Sequence, residues 1–200
     1  MKTELSQSKR LQIIKGATDQ FVKYGFHAVS MDKVTQAASV SKATLYKHFG
    51  SKDDLLFAVI DELCTDLWET MEAVSLNSSI ENNLKMIASA FIDLYFSEQG
   101  LAIYRLVISE CHNSPKLGEL VYKISAGKIN FQLEAYLLKI NQIDSGYMID
   151  IPVAAEAFCS LLRGELHFQC LLGCRPLPSL SEKETHINQV VLSFIRGWLK

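Results

Sequence analysis

SMDKVTQAASVSKATLYKHFGSK fills residues 30–52, and its reading decides the fold. Two short helices separated by a break are written into it. Ser30 can cap a helix whose buried stripe is Met31, Val34 and Ala38. Ser39-Val40-Ser41 breaks that pattern, Ser41 can cap a second helix from Lys42 to about Phe49, and Gly50 ends it. On this second helix Leu45 and Phe49 lie one turn apart and point toward a core. At ~100° per residue the opposite face is Ala43 and Lys47, flanked by Thr44 and Tyr46. That outward face is short, basic and aromatic.

Working outward, an earlier helix is expected from Ser8 to Tyr24, with Ile14, Ala17 and Phe21 on one face and Gly25 as a left-handed stop. On the other side, Ser51 and Lys52-Asp53-Asp54 open a fourth helix, whose apolar stripe is Leu55, Leu56, Val59, Ile60, Leu63 and Leu67. Three short helices with tight turns, the third in a basic region, form the geometry that places one helix in a DNA major groove while the others brace it. Lys47 can donate to guanine acceptors or to phosphate, Thr44 to either, and the Ala43 methyl is small enough to approach a thymine methyl. Tyr46 and His48 suit phosphate oxygens. Lys42, Lys52 and the free amides after Ser30 and Ser51 can hold backbone phosphates, because helix amino termini carry partial positive charge, and Ser41 at the start of the second helix joins the DNA-binding candidates.

Charge supports the same end of the molecule. The net charge of −2 conceals +6 on residues 1–52 and −8 on the remainder. Double-stranded DNA is therefore expected at the first quarter and discouraged elsewhere.

The stretches Phe21-Val22-Lys23-Tyr24-Gly25-Phe26, Ser30-Met31-Asp32-Lys33-Val34, Ala37-Ala38-Ser39-Val40-Ser41 and Thr44-Leu45-Tyr46-Lys47-His48-Phe49-Gly50-Ser51-Lys52 resemble the TetR family of regulators over roughly residues 8–60. The Leu-Tyr-x-His-Phe-x-x-Lys run is the most specific part. The resemblance implies phosphate-binding roles for Tyr46, His48 and Lys52, and a phosphate-contacting hydroxyl at Ser30. Two positions depart from the family's usual glycines: Ser39, in the turn, and Ala43, on the outward face. If the turn needs a positive φ, serine there costs something.

The rest of the chain reads as helical too. Helices are expected near 80–97, 99–112 and 116–140, separated by Asn77-Ser78-Ser79, Asn113-Ser114-Pro115 and Asp144-Ser145-Gly146. Another runs from Pro152 to Leu172, and a last one starts at a capping box formed by Ser181-Glu182-Lys183-Glu184. Its face of Ile187, Val190, Val191, Phe194, Ile195 and Trp198 follows the helical rule throughout. The expected architecture is all-α: a helix-turn-helix domain at 1–52, then a larger helical effector-binding and dimerisation domain at 53–200.

The resemblance implies that this second region binds small molecules and pairs two subunits. Phe158, Leu161, Leu162, Val191, Phe194, Ile195 and Trp198 could form a four-helix homodimer interface, although core packing explains them as well. Phe91, Tyr95, Tyr104, Tyr122, Phe131, Phe158 and Arg163, with Asn130, could line a pocket for an effector of unknown identity.

His167, Cys170 and Cys174 share a helix face, but three ligands without an obvious fourth in an apolar setting read as buried structural residues. No metal or cofactor is expected, and a redox role for Cys170 and Cys174 stays open. The chain has no phosphate-cradling glycine loop, no Gly-x-Ser-x-Gly and no His-Glu-x-x-His, so it is not read as an enzyme.

Apolar residues at 48% and charged residues at 21% exclude a disordered or fibrous chain. Met1 to Ile14 lacks the apolar segment of a secretory signal, no apolar run reaches a membrane span, and the five cysteines fit a reducing compartment; the expectation is cytoplasmic. The function expected is a ligand-responsive DNA-binding regulator, a dimeric repressor of a palindromic operator released by a small molecule. Its alternatives are a DNA-binding module without an effector, and a helical enzyme or carrier that no longer binds DNA.

Overall fold

The computed structural model describes residues 2–75, 77–112, 115–143 and 150–199, and every regular element among them is helical. The expected all-α architecture is present. The helices are α1 (Lys2–Tyr24), α2 (Met31–Ala37), α3 (Lys42–His48), α4 (Lys52–Leu63), α5 (Thr65–Ala73), α6 (Ile80–Tyr95), α7 (Glu98–Cys111), α8 (Pro115–Ile124), α9 (Ala126–Ile143), α10 (Ile151–Leu172) and α11 (Leu180–Trp198). They fall into two compact units. One comprises Met1–Leu63 with Ala102–Ser125, so it extends beyond residue 52; the other comprises Cys64–Leu101 with Ala126–Lys200.

In the first unit α1 begins well before Ser8 and supplies Ile13, Ile14, Ala17 and Phe21 to the core. Gly25, at φ +80°, stops it, and its amide donates back to the Phe21 carbonyl at 2.9 Å. Gly16 lets α2 approach closely, since a Cβ there would come within 2.9 Å of the Ala38 backbone nitrogen. Val34, Ala38, Leu45, Phe49, Leu55, Leu56 and Val59 complete the centre of this core, and Ile103, Leu106 and Val121 join it from α7 and α8.

The second unit is built on α5, α6, α9, α10 and α11. Phe91, Phe158, Phe194, Leu67 and Leu84 are almost fully buried, and the Phe158 and Phe194 rings meet edge to face at 4.8 Å. His167 is buried among the edges of Tyr95 and Phe96, at centroid distances of 5.5 and 5.4 Å. Burial and the nearby Arg163 guanidinium push its pKa down to about 4.

Four expectations about the helices need correction. The fourth helix does not run through to Leu67: it ends at Leu63, the boundary of the first unit, and Leu67 belongs to α5. The helix expected over 116–140 is two, broken at Ser125, whose hydroxyl and amide both turn back to the Val121 carbonyl, at 2.7 and 3.1 Å. The helix from 152 to 172 is interrupted at Gly164, where φ +49° and ψ −160° define a conformation essentially confined to glycine. His186 satisfies the nearby Leu162 carbonyl at 2.9 Å. The last helix is capped by Ser179, not Ser181. Ser179 Oγ accepts from the Glu182 amide while Glu182 Oε2 accepts from the Ser179 amide at 2.8 Å. That amide, with Arg175, holds the Glu182 carboxyl down at about 2. The separators expected at Asn113-Ser114 and Asp144-Ser145-Gly146 lie outside the described residues.

Two outcomes follow from these conformations. Ser39 has φ +50°, so the turn does need a positive value there, and Ser39→Gly should raise the unfolding free energy by about 1 kcal/mol in a urea titration. His167 titrates at about 4 when folded, against an ordinary 6.5. The unfolded chain therefore takes up the proton first, and the stability owed to neutral His167 is complete above pH 7 and lost as pH falls from 6.5 toward 4. Stability in that window should decline by up to about 1.4 kcal/mol per pH unit more steeply for the native chain than for His167→Phe, as followed by urea unfolding at each pH.

Candidate nucleic-acid interface

The interface is assembled from two capped helices and the turn between them. At the start of α2, Ser30 Oγ accepts from the Lys33 amide at 3.3 Å. Ser41 does the same for α3, accepting from the Thr44 amide at 3.1 Å, and its hydroxyl also meets Thr44 Oγ1 at 2.8 Å. Leu45 is the one residue of α3 with no exposure, and Phe49 follows it into the core. These two anchors turn Ala43, Tyr46 and Lys47 outward, and Tyr46 is 52% exposed. A cation, a phenol and a methyl group thus share one open helix face. Thr44 is half-buried and tied to Ser41, and half-buried His48 lies beside the Phe49 ring.

Two of the basic candidates are engaged within the fold. Lys42 forms an ion pair with Asp32 at 2.7 Å, which raises its pKa and links α3 to α2. Both partners are largely exposed, so the pair is weak and exchangeable for phosphate. Lys52 is different. Its ammonium donates to the carbonyls of Phe26 at 2.8 Å and Val29 at 3.0 Å and lies 4.4 Å from the Phe26 ring centroid. It clamps the turn between α1 and α2, with one N–H left for an outside acceptor.

Residues not singled out from sequence also shape this surface. Gln12 Nε2 donates to the Ala38 carbonyl at 2.7 Å, bracing α1 against the turn that contains Ser39. Lys33 donates to the Ala28 carbonyl at 3.0 Å and, with Lys23, flanks the exposed Tyr24 ring. Arg10 lies 5.5 Å from the Phe49 ring centroid. No pattern on α1 marks Gln12: a glutamine on a polar face acquires its role only once α2 is packed beside it.

The other candidates are dispersed. Phe158, Leu162, Val191 and Phe194 are buried within a single chain, so they are core residues; of the seven dimer candidates, Leu161, Ile195 and Trp198 retain accessible surface. Periodicity marks an apolar face but not whether its own chain or a second one covers it. Of the pocket candidates, Phe91 and Tyr95 stack at 4.3 Å in the second unit, and Arg163 lies 5.9 Å from the Tyr95 ring centroid. Phe158 is core there, Phe131 is 71% exposed, and half-buried Tyr104 and exposed Tyr122 belong to the first unit. Buried His167 and Cys170 lie on α10, but exposed Cys174 falls beyond its end at Leu172, past the Gly173 cap, so the three do not share a helix face as expected; among the described residues no cluster is suited to hold a metal.

Residues 13–59 match the bacterial regulatory proteins of the tetR family, and residues 82–198 match the carboxy-terminal domain of AefR-like transcriptional repressors. The transcriptional activator FasR of Mycolicibacterium smegmatis is 34% identical over 100 residues, which cover 50% of this chain and 45% of that protein. This chain thus spans about half the length of that relative. Among solved structures, a TetR-family regulator from Mesorhizobium loti superposes with a TM-score of 0.80 at 24% identity, covering 96% of both chains. The flavonoid-responsive regulator FrrA superposes with a TM-score of 0.75 at 28% identity, covering 95% of this chain and 96% of its own. With the amino-terminal helices and most of the remaining chain both matched, the protein belongs to the TetR family of bacterial transcriptional regulators.

Proposed function

We propose that this protein is a ligand-responsive DNA-binding regulator, acting as a homodimeric repressor that a small molecule releases from a palindromic operator. The observation that carries the reading is the outward face of α3, where Ala43, Tyr46 and Lys47 stand open on a helix fixed from behind by Leu45 and Phe49. Lys47 reads a base edge or neutralises a phosphate, and Tyr46, Ser41, Lys42 and His48 hold the backbone. The amino terminus of α2, capped by Ser30, adds amides and partial positive charge. Lys52 acts chiefly by fixing the turn, with its remaining proton available to a phosphate.

Repression is supported by the match of residues 82–198 to a repressor domain. A small-molecule effector is supported by the likeness to a regulator named as flavonoid-responsive. The functional division follows the sequence, with DNA contacts within 1–52 and effector and partner contacts within 53–200. No helix among the described residues is long and apolar enough to cross a membrane, which supports a cytoplasmic place of action. Family membership supports a regulatory and non-enzymatic role.

For the homodimer, the accessible apolar residues of α10 and α11 form the contact: Leu161 is 41% exposed, Phe168 54% and Leu192 39%. A twofold pair would set its two α3 helices on half-sites ~34–36 Å apart. An effector that distinguishes the two states by ~1–3 kcal/mol would change operator occupancy several-fold to about a hundredfold.

Against an operator selected from random duplex DNA, Lys47→Ala and Tyr46→Ala should each weaken binding, by about 1–3 kcal/mol where a base contact is lost, without changing thermal stability. Unchanged affinity in both variants removes α3 as the reading helix. Lys52→Ala should behave differently, lowering the melting temperature along with operator affinity, because it frees two carbonyls. In analytical ultracentrifugation Leu161→Glu should shift the protein from dimer to monomer while its helical circular dichroism persists.

A further inference from the structure

The stretch of α1 ahead of its core carries charge that packing does not absorb. Ile13 is the first wholly buried residue of α1, while Leu5 to Lys9 and Leu11 are exposed. Lys2, Lys9 and Arg10 are set against one acidic residue, Glu4, in this stretch. Lys9 donates to Gln12 Oε1 at 2.9 Å, and Gln12 Nε2 donates to the Ala38 carbonyl at 2.7 Å, in the turn before α3. The half-buried Arg10 guanidinium lies 5.5 Å from the centroid of the ring of Phe49, the residue that follows α3. Residues 9–12 of α1 therefore meet the fold at both ends of the reading helix. His48 lies beside the same Phe49 ring, at 6.3 Å between centroids. Among the described residues no carboxylate pairs with Arg10, in contrast to Lys42, which Asp32 engages.

A guanidinium resting against an aromatic ring is attracted through its flat face, which leaves its in-plane N–H donors for another acceptor. That fork matches a phosphate, and a ring that fixes it beforehand reduces the entropy lost on binding. We propose that Arg10, held by Phe49, is a DNA-phosphate contact through which α1 widens the interface beyond the two helices of the helix-turn-helix. This rests on the reading of α3 as the helix that enters the groove. Leu45 and Phe49 point away from the outward face of α3, so a group seated on Phe49 reaches the rim of the groove and not its floor. Its partner is therefore a backbone phosphate and not a base edge. The strand bordering the end of α3 is gripped by Tyr46 and His48 from one helix and by Arg10 from another, and exposed Lys9 adds to the local positive potential. Arg10 lies ahead of residues 13–59, the stretch matched to the tetR family, so that match does not assign this contact.

The test measures binding of the full chain to the selected operator and to an unrelated duplex at a series of salt concentrations. Arg10→Met keeps an apolar stem against Phe49 and removes the charge, whereas Arg10→Lys keeps the charge. Arg10→Met should reduce the slope of log affinity against log salt by about 0.9, so its deficit against the native chain narrows about threefold between ~50 and ~200 mM salt. It should weaken both duplexes by the same factor, and Arg10→Lys should recover the native slope. If Arg10 only steadies α3 through Phe49, the outcome differs: Arg10→Met lowers the melting temperature and leaves the slope unchanged, which overturns the proposal. A loss confined to the operator overturns it as well, since Arg10 would then read a base, and so does failure of Arg10→Lys to recover the slope. A native chain that retains neither duplex removes this contact together with the regulatory reading, whereas native binding with an unaltered slope in Arg10→Met removes this contact alone.

Discussion

Everything exposed on α3 depends on the burial of Leu45. A helix of seven residues, Lys42–His48, is far too short to persist alone in water. It exists because Leu45, wholly buried, and Phe49 bind it to a core shared with α1, α2 and α4. Burying a leucine contributes about 1.5–3 kcal/mol, and truncating one in a packed core costs ~2–5 kcal/mol. The same contact fixes rotation about the helix axis, so it selects which side chains face outward. The position of Lys47 is a consequence of the position of Leu45.

The supports around that contact divide between backbone and charge. Ser41 caps α3 and binds Thr44, Gln12 holds the Ala38 carbonyl, and Ser39 takes a left-handed conformation that serine tolerates at a cost. Lys52 gathers two carbonyls of the preceding turn, so part of the basic charge of the first 52 residues serves the fold before it serves any polyanion. A further contact comes from α7, where the nearly buried Glu110 carboxylate meets exposed His27 at 2.5 Å, in the turn that Lys52 clamps. That turn is thus held from both α4 and α7, and a displacement of either helix would be felt at the amino terminus of α2.

Local chemistry made the first unit legible in the sequence. Ser30 and Ser41 lie at the starts of helical runs, Gly25 follows one, and Leu45 and Phe49 are one turn apart on an otherwise polar helix. Each signal needs only its near neighbours. The breaks at Cys64 and Ser125 leave no such mark, because apolar spacing continues across them and each lies where the chain passes from one unit to the other; at Gly164 the only local sign is the glycine itself, within an unbroken apolar pattern. The capping box shows the same limit at short range: Ser179 and Ser181 each precede a glutamate by three residues, and the bond to Glu182 goes to Ser179. Lys52 was legible as a cation of the interface but not as a clamp, since its acceptors stand 26 and 23 residues away.

In the second unit the informative residues are polar. Phe91, Phe158 and Phe194 fit a pocket wall, a dimer contact or a core equally well by spacing, and the fold makes them core. An apolar side chain is satisfied by any apolar neighbour, so its type cannot tell which neighbour it has. A buried hydroxyl or amide is satisfied only by a directed partner, and when the surrounding helices supply none, geometry limits what could.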